Sequence, residues 1–171
     1  MPHKRKYKFT SHTMTLPDGT ILHRIKAVHN IPEANVKKGD LGGWIEDKHN
    51  LSHSGSCWVF HNAKVYNQAS VSQHAKAYDN VTISGHAKLY GNAWAQEQAK
   101  ICDYAEVYDN AWIKGQAIIK DHAKLYHYAQ IDGKVILCGH AELCNGIYVG
   151  DDSIIHSESP IHDTSYPFKY P

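Results

Sequence analysis

The sequence predicts an all-β protein in which short strands wind into a coil of parallel turns. Three observations carry this prediction. An apolar residue, most often alanine, recurs every six residues from Cys57 to Ile147, and a second apolar residue follows each of these two positions later, from Val59 to Ile155. The positions between the pairs hold mainly Gly, Asn, Asp, His and Gln.

Each six-residue unit predicts a short strand and a corner. Six residues would turn a helix through about 600°, which spreads the pattern around the whole helix, whereas two residues of a strand that are two positions apart point the same way. The residues between the pairs tolerate bends and left-handed backbone conformations. Because every unit keeps the same inward phase, the pattern excludes hairpins and favours turns that pair in parallel, as in solenoids.

The hexads of residues 57–155 resemble the hexapeptide-repeat left-handed parallel β-helix. The resemblance implies a triangular coil of about 18 residues and about six coils in this chain, with a rise of roughly 4.8 Å per coil. It also supplies the left hand, since the general crossover preference is right-handed. Residues 18 apart should then stack, so that Ile83 lies beside Ile101 and Leu89 beside Val107.

The two ends of the repeat predict caps, because a solenoid otherwise exposes unpaired strand edges. Residues 7–28 predict a β-hairpin, with β-rich segments on either side of a turn at Pro17-Asp18-Gly19. The hexad stops after Ile155, and the proline-rich remainder predicts an extended tail laid on the coil. The organisation is therefore a capping segment at 1–56, the β-helix at 57–155 and a tail at 156–171.

A second resemblance lies at the beginning of the coil. The run from Arg24 to Val59, with its Gly39-Asp-Leu-Gly-Gly-Trp44-Ile45 and Cys57-Trp58-Val59, is similar to the leading segment of a YdcK-like group of β-helix proteins. These are largely uncharacterised proteins of bacteria, phages and prophages. The resemblance implies the same fold and an origin in a phage or prophage, and it implies no reaction.

The residue between each apolar pair should point outward, which sorts the surface into three faces. One face alternates lysine and glutamate and belongs in water. The other two carry apolar stripes, which we predict to be contact surfaces for a protein partner or for a second copy in a dimer or trimer. Cover by the tail or the cap is the alternative, above all for the isoleucines. The stripe residues are Trp94, Trp112 and Tyr148 on one face and Ile118, Ile136 and Ile154 on the other.

Two aromatic columns and the cysteines predict structural roles. Tyr90, Tyr108 and Tyr126 should stack in one column, and His86, Tyr104, His122 and His140 in another. We expect no metal site and no cofactor, since histidines two coils apart are about 10 Å from each other and no C-x-x-C pair occurs. Four cysteines without a disulfide framework are typical of a cytoplasmic protein.

Charge and hydropathy limit the kinds of partner that the chain is expected to bind. The net charge is +1, which gives no broad basic field and makes nucleic acid an unlikely partner. No stretch approaches the ~20 apolar residues of a membrane span. The basic run from Lys4 to Lys8 is expected to be a solvated terminus.

These observations favour a non-catalytic β-solenoid protein-interaction module. If the chain is phage-borne, the expected action is to bind and block a host defence or regulatory complex. The alternative is a hexapeptide-repeat acyltransferase that uses an acyl-CoA donor at a subunit interface, with His122 or His140 as its histidine. The unbroken repeat from 57 to 155 offers no inserted loop to form an acceptor pocket, which argues against the enzyme.

Overall fold

The computed structural model describes residues 5–158 and confirms the all-β solenoid. These residues form twenty strands in three sheets, one for each side of the coil, with no α-helix and two 3-10 helices at Pro32–Ala34 and Lys48–Asn50.

Neighbouring strands in each sheet are hydrogen-bonded to each other. The nine-stranded sheet contains β1 (Tyr7–Thr15), β2 (Ile21–Ala27), β3 (Leu41–Ile45), β5 (Lys64–Val65), β8 (Thr82–Ile83), β11 (Lys100–Ile101), β14 (Ile118–Ile119), β17 (Ile136–Gly139) and β20 (Ile154–Ser157). The six-stranded sheet contains β4 (Trp58–Val59), β7 (Lys76–Ala77), β10 (Trp94–Ala95), β13 (Trp112–Ile113), β16 (Gln130–Ile131) and β19 (Tyr148–Val149). The five-stranded sheet contains β6 (Ser70–Val71), β9 (Lys88–Leu89), β12 (Glu106–Val107), β15 (Lys124–Leu125) and β18 (Glu142–Leu143).

The predicted 18-residue turn is confirmed by the strand register. Ile83 pairs with Ile101 and Ile101 with Ile119, all in parallel, and Leu89 pairs with Val107 on the five-stranded sheet. About six turns follow one another in this way. The left hand of the coil stays a prediction from the resemblance.

The corners are as regular as the strands. Every sixth residue from His61 to Asp151 has a positive φ, with Gly or a polar residue at each of these positions. At Gly115 the packing also demands glycine, because a Cβ there would lie 2.6 Å from the backbone nitrogen of Gly133 on the next turn. The inward alanines and aliphatic residues between the corners form one continuous core, buried except for the half-buried Ile147 and Val149.

The N-terminal hairpin extends one side of the coil. β1 and β2 pair antiparallel, β2 pairs antiparallel with β3, and β3 pairs parallel with β5, so the cap and the coil share the nine-stranded sheet. Trp44 pairs with Lys64 and Leu51 with Val71. These paired residues are twenty positions apart in the sequence, whereas paired residues of later turns are eighteen apart. The parallel stack therefore begins before Cys57, the first residue of the regular repeat.

Lys6 corrects one expectation from the sequence. It lies in the basic run that we expected to be solvated, yet only 1% of it is exposed. Its Nζ donates hydrogen bonds to the carbonyl oxygens of Cys57 (2.8 Å) and Gly55 (3.4 Å). The reason is that these carbonyl groups of the first turn have no preceding turn whose N–H groups could bond them, so the ammonium group supplies the hydrogen bonds. Burial lowers the pKa of Lys6. The predicted tail lies mostly outside the described residues.

Candidate functional site

Each sheet presents one outward row of side chains, and these rows define three faces. The tryptophan face is the row Trp58, Lys76, Trp94, Trp112, Gln130 and Tyr148 on the six-stranded sheet. The isoleucine face is the row Arg24, Trp44, Lys64, Thr82, Lys100, Ile118, Ile136 and Ile154 on the nine-stranded sheet. The charged face is the row Ser70, Lys88, Glu106, Lys124 and Glu142 on the five-stranded sheet.

The tryptophan face carries two exposed indoles one above the other. Trp94 pairs in register with Trp112, and they are 40% and 38% exposed. Their backbones are held by hydrogen bonds from Trp94 N to Ala111 O (2.9 Å) and from Trp112 N to Ala129 O (3.0 Å). Tyr148 is also exposed, two strands further along the same row. The structure therefore places this predicted stripe on the surface of a hydrogen-bonded sheet.

The aromatic surface is wider than the sequence stripe indicates. The Tyr78 ring lies edge-on to Trp94 at 6.1 Å between centroids, and Phe60 stacks on Tyr78 at 4.4 Å. Lys76 places its Nζ 5.1 Å from the centre of the Trp94 ring. Phe60 and Tyr78 sit at a corner of the coil, 18 residues apart, and this spacing is the sequence signal that could have identified them.

The lower end of the tryptophan face is closed by the cap. Trp58 belongs to the outward row, yet it is buried, and Tyr7 meets it edge-on at 6.4 Å between ring centroids. The hydroxyl of Tyr7 lies 3.0 Å from the carbonyl oxygen of Leu51, its hydrogen-bond acceptor. The N-terminal segment thus covers the first indole and leaves the others uncovered by residues 5–158.

The isoleucine stripe lies on a different sheet. Ile118 and Ile136 are half-buried, whereas Ile154 is 72% exposed. A corner of the coil separates this stripe from the tryptophans, and there Lys114 lies 3.7 Å from a carboxylate oxygen of Glu97. The six predicted interface residues therefore form two surfaces, which one flat partner surface cannot cover together.

The charged face confirms the predicted alternation of lysine and glutamate. Lys88 pairs with Glu106 at 2.8 Å and Lys124 with Glu142 at 2.9 Å. The hydroxyl of Tyr90 donates to Glu106, and burial together with this carboxylate raises the pKa of Tyr90 well above its usual value. Each glutamate is thus held by a lysine and by a tyrosine hydroxyl, since Tyr126 donates to Glu142 in the same way.

An open groove beside the charged face was missed by the sequence reasoning. The groove encloses about 590 Å³, and its wall is the predicted ladder of His86, Tyr104, His122 and His140, whose neighbouring rings stack at 4.8, 5.0 and 4.9 Å. The opposite side is formed by the lysines and glutamates of the charged face. The two sides of the groove come from residues that flank an inward alanine, such as His86 and Lys88 on either side of Ala87.

The histidines of this groove are not arranged as a catalytic dyad or as metal ligands. Within the described range, the imidazole nitrogens of His86, His122 and His140 make no hydrogen bond, so no carboxylate orients them as a general base. The rings of His122 and His140 are parallel and stacked at 4.9 Å, so their lone pairs lie in two separate planes and do not converge on one ion. No group of three or more His, Cys, Asp or Glu side chains suited to a metal occurs among residues 5–158.

The fold and surface define the class of protein: the chain is a β-solenoid with flat outward faces. No known family model matches the chain, and no curated protein is similar to it. The resemblance of its leading segment to the YdcK-like group thus stays a prediction. Over residues 5–158, the structure contains no helix of the length and apolar character needed to cross a membrane.

Proposed function

We propose that this chain is a non-catalytic protein-binding module that docks its partner through the tryptophan face. The observation that carries the proposal is the pair of exposed indoles, Trp94 and Trp112, held in register on a hydrogen-bonded sheet. Tryptophan is enriched among the residues that dominate binding energy, and truncating one such residue typically costs about 2 kcal/mol or more. An indole on a rigid backbone also loses little conformational entropy on binding.

The surroundings of the indoles support a protein surface as the partner. Phe60 and Tyr78 widen the apolar area on one side, and Lys76 supplies a polar group next to Trp94. An apolar centre with polar groups at its rim is the usual composition of a protein interface. An uncovered aromatic surface of this kind is otherwise an association liability for a soluble chain.

The more specific proposal concerns biological context. The similarity of the segment from Arg24 to Val59 to phage and prophage proteins supports an origin in a mobile element. On that basis the partner is a host defence or regulatory complex, which the module blocks by occupying a surface that the complex needs.

The experiment replaces both indoles by a charged residue. The double variant Trp94→Asp, Trp112→Asp should lose a host protein that the purified wild-type chain captures in stoichiometric amount, while circular dichroism stays native. The matched control is Tyr104→Asp, a 54% exposed aromatic on the other side of the coil, which should keep the partner. The captured protein is then purified, and the complex is rebuilt from the two components.

Three results would reject the proposal. The first is binding of the rebuilt partner by the double variant as tightly as by the wild type, and the second is equal loss of the partner by the control. The third is light scattering in which the wild type is a dimer or trimer that the double variant breaks while partner binding is unchanged. In this last case the tryptophan face joins copies of the chain.

One observation favours the acyltransferase alternative, namely the groove lined by His86, His122 and His140. The groove has a size suited to a small molecule, since ligand sites commonly enclose about 300–1,000 Å³. An acetyl-CoA titration by calorimetry tests it. Saturable binding that His122→Ala weakens would support the enzyme, and the absence of heat at millimolar acetyl-CoA would reject it.

A further inference from the structure

The isoleucine face is one continuous row of side chains that is basic at one end and aliphatic at the other. Each of its eight residues pairs in register with the next, across the strands from β2 to β20. At roughly 4.8 Å per strand the row is about 34 Å long. Its first five members include three cations, Arg24, Lys64 and Lys100, whereas its last three are isoleucines.

Among the described residues, the cations of this row lack a carboxylate partner, which three lysines elsewhere on the coil possess. Lys88, Lys124 and Lys114 each lie within 4 Å of a carboxylate. Over residues 5–158, Arg24, Lys64 and Lys100 of the isoleucine face have no ion pair; Lys64 reaches only the carbonyl oxygen of Asn62, at 3.4 Å. In the described part of the chain, the positive charges along this half of the face are therefore not neutralised by an ion pair.

The basic end of the row begins with a cation that lies over an indole. The guanidinium of Arg24 lies over the Trp44 ring at 5.1 Å. Arg24 Nε and Trp44 Nε1 are buried and have no acceptor in the described part of the chain, so neither atom is offered to a docked segment. The nearby carboxylate of Glu46 is occupied, because it accepts a hydrogen bond from the backbone N–H of Asn67 at 2.6 Å.

We propose that the isoleucine face binds an extended protein segment that is acidic at one end and aliphatic at the other. Its carboxylates would meet Lys64, Lys100 and Arg24, and its aliphatic side chains would pack on Ile118, Ile136 and Ile154. Complementary charge sets the orientation and register of the bound segment, and the aliphatic contacts add burial. This surface is separate from the tryptophan face, and the inference does not depend on it.

The layout of the row favours a protein segment over a nucleic acid or a lipid surface. A phosphodiester backbone is charged along its whole length and has no counterpart for three successive isoleucines. A bilayer separates charged and apolar groups by depth, whereas this face separates them side by side in one plane. An extended peptide of about ten residues spans ~33 Å, close to the length of the row.

The test measures binding of fluorescein-labelled peptides to the full chain by fluorescence anisotropy. The probe is a peptide of about ten residues with glutamates in its first half and leucines in its second half. A peptide of the same composition with glutamate and leucine alternating is the second probe. We expect the block peptide to bind about tenfold more tightly than the alternating peptide, because only the block peptide can satisfy both halves of the row.

Variants then assign the binding to the face. Lys64→Gln with Lys100→Gln should weaken the block peptide about tenfold. The matched control, Lys88→Gln with Lys124→Gln, has the same net charge and should bind as the wild type does. Ile154→Asp tests the aliphatic half at a position exposed enough to leave folding intact, and it should weaken the peptide by a similar factor.

Several outcomes would overturn the inference. These are no binding of the block peptide, equal binding of the alternating peptide, and equal weakening by the two lysine pairs. Tighter binding of a single-stranded thymidine oligonucleotide, or of vesicles with about one-third phosphatidylserine, would assign the face to a different partner. Trp94→Asp with Trp112→Asp should leave peptide binding unchanged, so failure of this inference and failure of the proposed function are distinguishable.

Discussion

The central stability prediction concerns Ile101 in the middle of the core. Ile101 is fully buried, and it pairs with Ile83 on one side and Ile119 on the other. Ile101→Ala removes three carbons, which is about 2.4 kcal/mol of transfer free energy at roughly 0.8 kcal/mol per carbon. The cavity adds to this loss, because the neighbouring strands are fixed by hydrogen bonds on both sides and cannot collapse into the space. We therefore expect a loss of about 3–4 kcal/mol in the free energy of unfolding.

The measurement is urea unfolding followed by circular dichroism, with midpoints compared at equal m-values. Ile154→Ala is the matched control: it makes the same change at a 72% exposed position of the same sheet and should cost less than about 0.5 kcal/mol. Ile101→Val should fall between them, at about 1 kcal/mol. A loss below about 1 kcal/mol for Ile101→Ala, or losses equal at both positions, would refute the tightly packed core of stacked inward residues. A changed m-value would indicate that turns unfold separately.

Two further predictions concern corners of the coil. Gly115→Ala should lower the urea midpoint far more than Gly146→Ala. Both glycines have a positive φ, but only an alanine at position 115 would place its Cβ against the next turn, at Gly133. Equal losses would contradict the packing argument. Burial, and then the carboxylate of Asp103, raise the pKa of Cys102 to about 11, so its alkylation rate, followed by peptide mass spectrometry, should rise with a midpoint near that pH. Asp103→Asn should lower the pH midpoint of alkylation, and an unchanged midpoint would contradict the role of Asp103. Because the folded state holds the proton of Cys102 more tightly than the unfolded state, this thiol stabilises the fold fully below pH 9. That stabilisation is lost as the pH rises through about 11.

The hexad pattern predicted the core because a strand residue has only two directions to point. Once Ile83 and Ile101 are inward, the residue before each of them is outward, and residues 18 apart share a face. That rule placed Trp94, Trp112 and Ile154 correctly on the surface and the tyrosine and histidine columns in stacks. Whether any partner covers the two stripes stays a prediction, because it depends on a second molecule.

The features that the sequence did not predict depend on rotamers or on broken periodicity. Phe60 and Tyr78 join the tryptophan face because their rings turn toward it from a corner, where the pattern sets no direction. The early start of the stack was hidden because two extra residues lie between Leu51 and Val59. Lys6 was assigned to solvent on its charge alone, whereas unpaired carbonyls at the first turn give its ammonium group partners in the interior.

The shared nine-stranded sheet has a consequence for how the molecule is made. The hairpin and β3 are translated before the coil, and they present a finished edge on which β5 can pair. Every later turn needs only the turn synthesised about 18 residues before it. A ribosome adds 18 residues in roughly one to four seconds. The chain can therefore wind upward while it is being translated, with each new layer templated by the one already in place.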